Sequence, residues 1–430
     1  MSPALPSGTG GRAASDGSSA GWRRADWLIV LVGSVAGLAI RVVLLPTEGL
    51  RGDLDQFVGW VHHIATDGLG SLYGAPEAGP VTFGPVMAYI WSLLATLQPA
   101  FATVTDSTDP AIRVAMKLPA TIADLGLAGV IGFALRDRPR WAALGVAAVL
   151  LVPATWYVSA WWGQYESVFA LSGVAAVVAA AGRRNALAAM LVAVSLMTKP
   201  QAVAFLVPFA AWFWATGGWR EVLRAAVVGA VTVLVLWLPF IPSGGPAGYL
   251  RNLGTYQNEI FNVLSLRAWN PWWILQEAGA GGDFIRDDIA FLGPLTLRHL
   301  GYVVTGVLSL VIALAIVRDP RPRTLILGVV ASVLVIFTWM TQMHERYAYA
   351  ALIVVLLLIP EGRVRWFALA LAVVFTLNLF AAVPASPDLA ALIPIGGVVG
   401  LVGSVAFTAI STWALVESRR SGADRASRAP

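Results

Sequence analysis

Of the 430 residues, 58% are hydrophobic and only 12% charged, against about 25% charged in an ordinary globular domain. That deficit excludes a soluble enzyme, a disordered chain and a nucleic-acid-binding domain. The net charge of +5 resides in arginines clustered between apolar runs, as in the cytoplasmic loops of a membrane protein, so no nucleic-acid partner is implied. Cysteine is absent, which excludes disulfides and thiolate metal sites. Only two of the 29 basic residues are lysines, Lys117 and Lys199. The Arg and Ala excess suggests a GC-rich bacterial gene and hence a bacterial plasma membrane.

In chain order, residues 1–26 read as a disordered cytoplasmic tail rich in Ser, Gly, Ala and Pro. A first span follows from Trp27 to Pro46, too long for a cleaved signal segment. Further apolar runs occupy 84–104, 113–135, 141–160, 166–181, 186–198, 201–216, 225–242, 301–317, 324–342, 347–360, 366–383 and 391–415. The expected fold is an all-α polytopic membrane domain over 27–416, of about 12–13 transmembrane or half-membrane helices. Residues 417–430 read as a second cytoplasmic tail.

The clusters Arg136–Arg140, Arg183–Arg184, Arg220–Arg224, Arg318–Arg323, Arg363–Arg365 and Arg419–Arg420 mark the cytoplasmic face. Two apolar runs separate each neighbouring pair, so 161–166, 199–201, 243–300, 343–346 and 384–390 fall on the external face. External loops are expected at 47–85 and 243–300. Three runs between Arg24 and Arg136 break this parity. It is restored if 86–98 dips into the membrane and returns, which leaves Thr105–Pro110 external.

The first external loop opens Arg51-Gly52-Asp53-Leu54-Asp55-Gln56. Phe57, Trp60, Val61 and Ile64 then recur at helical spacing, which predicts an amphipathic helix on the membrane surface. Asp53 and Asp55 stand at its start, where a simple N-cap role competes with that of a general base and its helper. Trp161-Trp162-Gly163-Gln164-Tyr165-Glu166 lies between two apolar runs. An aromatic belt accounts for the tryptophans, but Gln164 and Glu166 favour a lined cavity. Lys199 joins two short runs in Thr198-Lys199-Pro200-Gln201, and Lys117 lies seven residues before Asp124. Lys117 and Asp124 are about 10 Å apart along the helix, so each needs a partner on another helix or a wet cavity. A compact ammonium suits a phosphate, although snorkelling to the interface would also place it there. His344-Glu345-Arg346 ends a further span, where three ionisable residues are costly unless they face a site. His62, His63, His299 and His344 all fall on the external face without metal-ligand spacing, so neither a metal nor another cofactor is expected. In the loop 243–300, Arg267 and Arg298 are candidates to hold an anion, with a solvated surface as the alternative.

Taken together, these segments resemble the GT-C superfamily of integral-membrane glycosyltransferases, whose donors are lipid-phosphate-linked sugars. Gly52-Asp53 with Trp60 resembles the first luminal loop of the glucosyltransferases of N-glycan assembly. Asp53-Leu54-Asp55 resembles the DxD of the first mannosyltransferase of GPI-anchor synthesis. Phe83-Gly84-Pro85 departs from the family's Tyr-Pro-Pro. Trp162-Gly163-Gln164-Tyr165-Glu166 is similar to WGQxD with Glu in place of Asp. Lys199-Pro200-Gln201 and His344-Glu345-Arg346-Tyr347 match the later KxQ-like and HE[RK]-like motifs.

The resemblance implies a metal-independent, inverting transfer of a mannose or glucose from a polyprenyl-phosphate donor. The acceptor would be a hydroxyl of a lipid-linked glycan, a glycolipid or a protein on the extracytoplasmic face. Asp53, matching the family's first-loop aspartate, would be the base, with Asp55 the next candidate. Trp162, Gln164, Glu166, Lys199, Gln201, His344, Glu345, Arg346, Arg267 and Arg298 would serve substrate, with Lys199, His344 and Arg346 against the phosphate. Asp53, Glu166, Lys199 and His344 are expected to line one cavity. The competing class is a transporter or flippase of a polyprenyl-linked or anionic substrate. It would also use cations at membrane depth, but it needs no surface carboxylates and usually shows internal repeats; none is visible here.

Overall fold

The structure is a computed structural model that describes residues 21–75 and 79–420; most of the two expected tails lies outside these. The first helix, Arg24–Leu44, begins three residues inside the segment read as tail, and the last, Gly397–Ser418, ends two residues past the expected boundary. Helix ends commonly shift by this much. Among the described residues, seven helices are long and apolar enough to cross a membrane. An eighth span is a pair bent by 46°, Pro139–Leu151 with Pro153–Trp162. The described chain is predominantly helical, a polytopic integral membrane protein.

The longest apolar stretch, Pro200–Phe240, is two arms rather than one span. Gly218 breaks the helix at φ 64°, ψ −160°, a left-handed backbone region open to glycine. Near the break, Trp212 and Thr216 hydrogen-bond to Asn185 beside the Arg183–Arg184 cluster. At the far end, the Trp237 indole meets the Met197 sulfur, two residues from Lys199. The chain therefore descends, turns at the arginine end and returns, as the expected runs at 201–216 and 225–242 require.

The arginine clusters gather at one end of the bundle. Arg323 binds both Glu361 and Glu417, Arg420 binds Glu417, and Arg365 covers the Trp141 ring. Small residues bring the spans close: a side chain at Gly37 would strike Leu150, and one at Gly33 would press on Ala147. In hydrocarbon such close approach supplies the dispersion contacts that hydrophobic burial cannot.

The segment expected to dip and return is instead one helix, Pro85–Leu97, followed by the turn Pro99–Ala102. The Gly84 and Val86 amides donate to Thr198 and Met197, while the Phe101 carbonyl meets His62. Both ends thus stay at the end opposite the arginines, as the expected parity requires. The reason is protein packing. Trp91 and Phe83 stack with Phe57 and Trp60 of the helix Arg51–Asp67. The apolar face of that first-loop helix is therefore covered by protein, not by lipid.

Inside the bundle Arg41 and Asp124, both fully buried, pair at 2.7 Å. Asp124 also accepts from Ser159 and Tyr349. Lys117 donates to the carbonyls of Thr47 and Trp161. Removing one member of a buried pair leaves an uncompensated charge, typically worth about 3–5 kcal/mol. Arg41→Ala and Asp124→Ala should each lower unfolding free energy by about that amount in detergent. The double variant should lose clearly less than the sum of the two, as chemical denaturation followed by circular dichroism will measure.

Candidate functional site

At the end opposite the arginine clusters lies a cavity of ≈ 260 Å³ that collects residues from across the chain. Asp53 comes from the first turn of the helix Arg51–Asp67. Gln164 comes from the turn that ends the bent span. Lys199 and Gln201 stand where the short helix Asn185–Leu196 gives way to the next descent. His344, Arg346 and Tyr347 follow the span Pro322–Trp339.

Asp53 is positioned by neutral donors. The Trp162 indole N–H donates to Oδ2 at 3.0 Å, and the Gln164 amide donates to the same oxygen. Both side chains reach it because Gly163 adopts φ 90° between them. A Cβ there would come within 2.7 Å of Leu54 and 3.0 Å of Lys117, so glycine is required both by conformation and by space. Both of these hydrogen bonds land on Oδ2 and neither on Oδ1.

Behind the cavity lies Glu166, fully buried at the first position of the helix Glu166–Ala181, where the helix dipole favours a carboxylate. Its Oε1 is 2.5 Å from the Lys199 ammonium and 3.2 Å from Nε of Arg346. Its Oε2 has no hydrogen-bond partner. Lys199 also faces the Phe83 and Tyr347 rings, and Arg346 lies over Trp162 and Tyr347. Arg346 Nη1 reaches Glu345 at 3.1 Å and His344 Nδ1 at 3.2 Å. If Nδ1 accepts, the histidine proton sits on Nε2, which is buried without a partner. Burial pulls the Lys199 ammonium down to about 8, opposed by Glu166. Burial, then Arg346, lowers His344 below the usual imidazole range.

A second cavity, of ≈ 160 Å³, adjoins the first and shares Asp53, His344 and Arg346 with it. Trp162, Arg267 and Glu345 line this one. Arg267 has a left-handed φ of 65° and donates one bond to the Ala382 carbonyl.

Three sequence-derived candidates are placed differently from expectation. Asp55, two residues from Asp53, lines neither cavity. It accepts from the amide and hydroxyl of Ser107 at 2.7 and 2.6 Å and pairs with Arg51, so it ties the first-loop helix to 105–110. Arg298 is engaged by Asp287, Asn258, Asn262 and the Gln257 carbonyl, and it lines neither cavity. In this arrangement it ties the long loop together. Glu166 was expected to line the cavity and instead supports the two cations that do.

Several lining residues escaped the sequence reading. Gln56 is three residues after Asp53 on the same helical face, a spacing that could have exposed it. It donates to the Tyr256 hydroxyl at 2.7 Å. Tyr256, Leu253 and Phe261 are delivered by the long loop, which is pinned because its strand Ser265–Leu266 pairs in parallel with Met343–His344. No local pattern announces that pairing.

The tie between Asp55 and Ser107 makes a local prediction. Asp55→Ala should cost about 1 kcal/mol of stability, reduced because the carboxylate is about a third exposed. Ser107→Ala should be partly redundant with it. A double-mutant cycle by thermal unfolding should find coupling between Asp55 and Ser107 and none between Asp53 and Ser107.

No family model and no curated protein matches the chain. Among solved structures, it is similar to the crystal structure of ArnT from Cupriavidus metallidurans bound to undecaprenyl phosphate. The identity is 15%, over 92% of this chain and 78% of that one, with a TM-score of 0.47. A likeness of that degree carries no argument about chemistry, which rests on the residues.

Proposed function

We propose that the protein is a GT-C-type glycosyltransferase that moves a mannose or glucose from a polyprenyl-phosphate-linked donor to a hydroxyl. The acceptor is a lipid-linked glycan, a glycolipid or a protein on the extracytoplasmic face of the membrane. The observation that carries this reading is the convergence in one cavity of a carboxylate with a free oxygen and two cations at its back.

In the proposed reaction, Asp53 Oδ1 takes the proton of the acceptor hydroxyl. The hydroxyl oxygen forms its bond to the anomeric carbon from the face opposite the phosphate. The bond from that carbon to the phosphate oxygen breaks, and its electron pair leaves with the lipid phosphate. Lys199 and Arg346 stabilise the charge that grows there, and such preorganised stabilisation is often the largest single contribution to catalysis. The guanidinium offers paired donors to phosphate, while the ammonium acts as a point charge. Gln201 and His344 border the same space. Membrane lipids surround the spans, and the polyprenyl chain enters from among them.

The test is transfer by purified protein from polyprenyl-phosphate-mannose and polyprenyl-phosphate-glucose to lipid acceptors, with slow donor hydrolysis as a second signal. Asp53→Asn should lower turnover by about 10²–10⁴-fold while donor affinity and the melting temperature stay near wild type. More than a tenth of wild-type turnover in Asp53→Asn would remove Asp53 as the base. Lys199→Ala and Arg346→Ala should each weaken donor use about tenfold or more, the scale of a lost charge-assisted bond. Arg318→Ala, at the opposite end, should leave the kinetics unchanged.

A further inference from the structure

We propose that Glu166 is a positioning residue that keeps Lys199 protonated and registered with Arg346, so that the pair forms one anion clamp for the donor phosphate. This rests on the transferase reading for the identity of the anion, but not for the geometry. Glu166 touches neither cavity. Its single oxygen Oε1 is shared between the ammonium and the guanidinium.

Two cations at such close quarters repel, and Coulomb repulsion is strong where water is scarce. Without a counter-ion they would splay, or the weaker acid would give up its proton. Arginine cannot do so, and lysine can. Lys199 is therefore the member at risk. It is 4% exposed, and burial already holds its ammonium down to about 8 with Glu166 in place.

The charged and titratable groups around Lys199 all come from a few elements. Glu166 lies on its own helix, Asp53 on the first-loop helix, and His344, Glu345, Arg346 and Tyr347 on the segment after Trp339. Gln164 offers its amide oxygen at 3.5 Å. Of these, Glu166 is the carboxylate in direct contact. Glu345 is turned to Arg346, and Asp53 accepts from Trp162 and Gln164.

The sign follows directly. Glu166 favours the charged form of Lys199, so removing its charge lowers the pH at which the ammonium is lost. Between the new midpoint and the old one, the clamp has one cation instead of two. Glu166→Gln should then bind a phosphate nearly normally at pH 6 and poorly at pH 7.5. A role in packing alone would lower binding equally at both.

The chain's two lysines permit a direct measurement. Lysine labelled with ¹³C at the ε carbon gives two side-chain signals, assigned with Lys117→Arg and Lys199→Arg. The titration midpoint of Lys199 is read in full-length protein in detergent, for wild type and Glu166→Gln. Farnesyl phosphate serves as the binding probe, followed by tryptophan fluorescence at pH 6 and pH 7.5. The inference expects the Lys199 midpoint to fall by at least about one pH unit in Glu166→Gln. Probe affinity should fall at least about threefold at pH 7.5, the loss of charged Lys199 that a one-unit shift produces there, and little at pH 6. It also expects that, with arginine at 199, Glu166→Gln causes no extra loss of affinity at pH 7.5 over pH 6, because arginine stays charged.

An unchanged Lys199 midpoint in Glu166→Gln overturns the proposal, as does an equal loss of probe affinity at both pH values. The lysine titration needs no sugar donor. Absence of sugar transfer by wild type would therefore count against the transferase reading, while the midpoint still decides the role of Glu166.

Discussion

A charge placed in hydrocarbon must bring its partner with it, and the Arg41–Asp124 pair is where this rule organises the molecule. Arg41 belongs to the first span and Asp124 to the span Pro110–Ala134. Asp124 accepts from Ser159 in the bent span and from Tyr349, three residues after Arg346. One buried carboxylate thus holds the last turn before Trp162 and the helix that begins just behind the His344–Arg346 segment. Lys117 adds a second restraint, binding the Trp161 carbonyl and the end of the first span through Thr47. The Trp162–Gly163–Gln164 turn is held from two sides before it meets Asp53. Satisfaction of buried charge therefore fixes the floor of the cavity.

The helical bundle was legible because it depends on composition over long windows. Arginine clusters, apolar runs and their parity need no tertiary knowledge, and they separated the two ends of the molecule. Lys199 was legible through scarcity: an arginine-rich chain spends one of two lysines at a junction of short apolar runs. Asp53 and Asp55 were both visible as carboxylates at a helix start. Which faces the cavity was not, because residues two apart point to nearly opposite sides of a helix, and Ser107 lies fifty residues away. Arg41 was hidden in an apolar run that tolerates one charge. Arg298 carried the same signal as Arg267 in sequence. Only the folded loop reveals that Asp287 and two asparagines bind its guanidinium away from both cavities. That protein covers the apolar face of the helix Arg51–Asp67 was not legible, because an apolar surface looks the same whether lipid or protein covers it.

The arrangement of charge in the site has an internal logic. A carboxylate that must take up a proton is poorly served by a cation in direct contact, because such contact favours the charged form. A departing phosphate needs cations close at hand. In the proposed reaction the two demands meet in one small cavity. Here Asp53 is oriented by an indole N–H and an amide, and the cations are turned toward Glu166 and Glu345.

Gln164 stands at the boundary between these halves. Its nitrogen donates to Asp53 and its oxygen faces Lys199 at 3.5 Å. An uncharged amide can satisfy an anion on one side and a cation on the other without joining them into a salt bridge. A carboxylate at 164 would repel Asp53, and a lysine or arginine would pair with it. The residue type is thus dictated by its two neighbours. The left-handed Gly163 beside it is dictated by the need to aim both Trp162 and Gln164 at one oxygen. In the proposed reaction, base and leaving-group clamp remain distinct because a neutral side chain separates them.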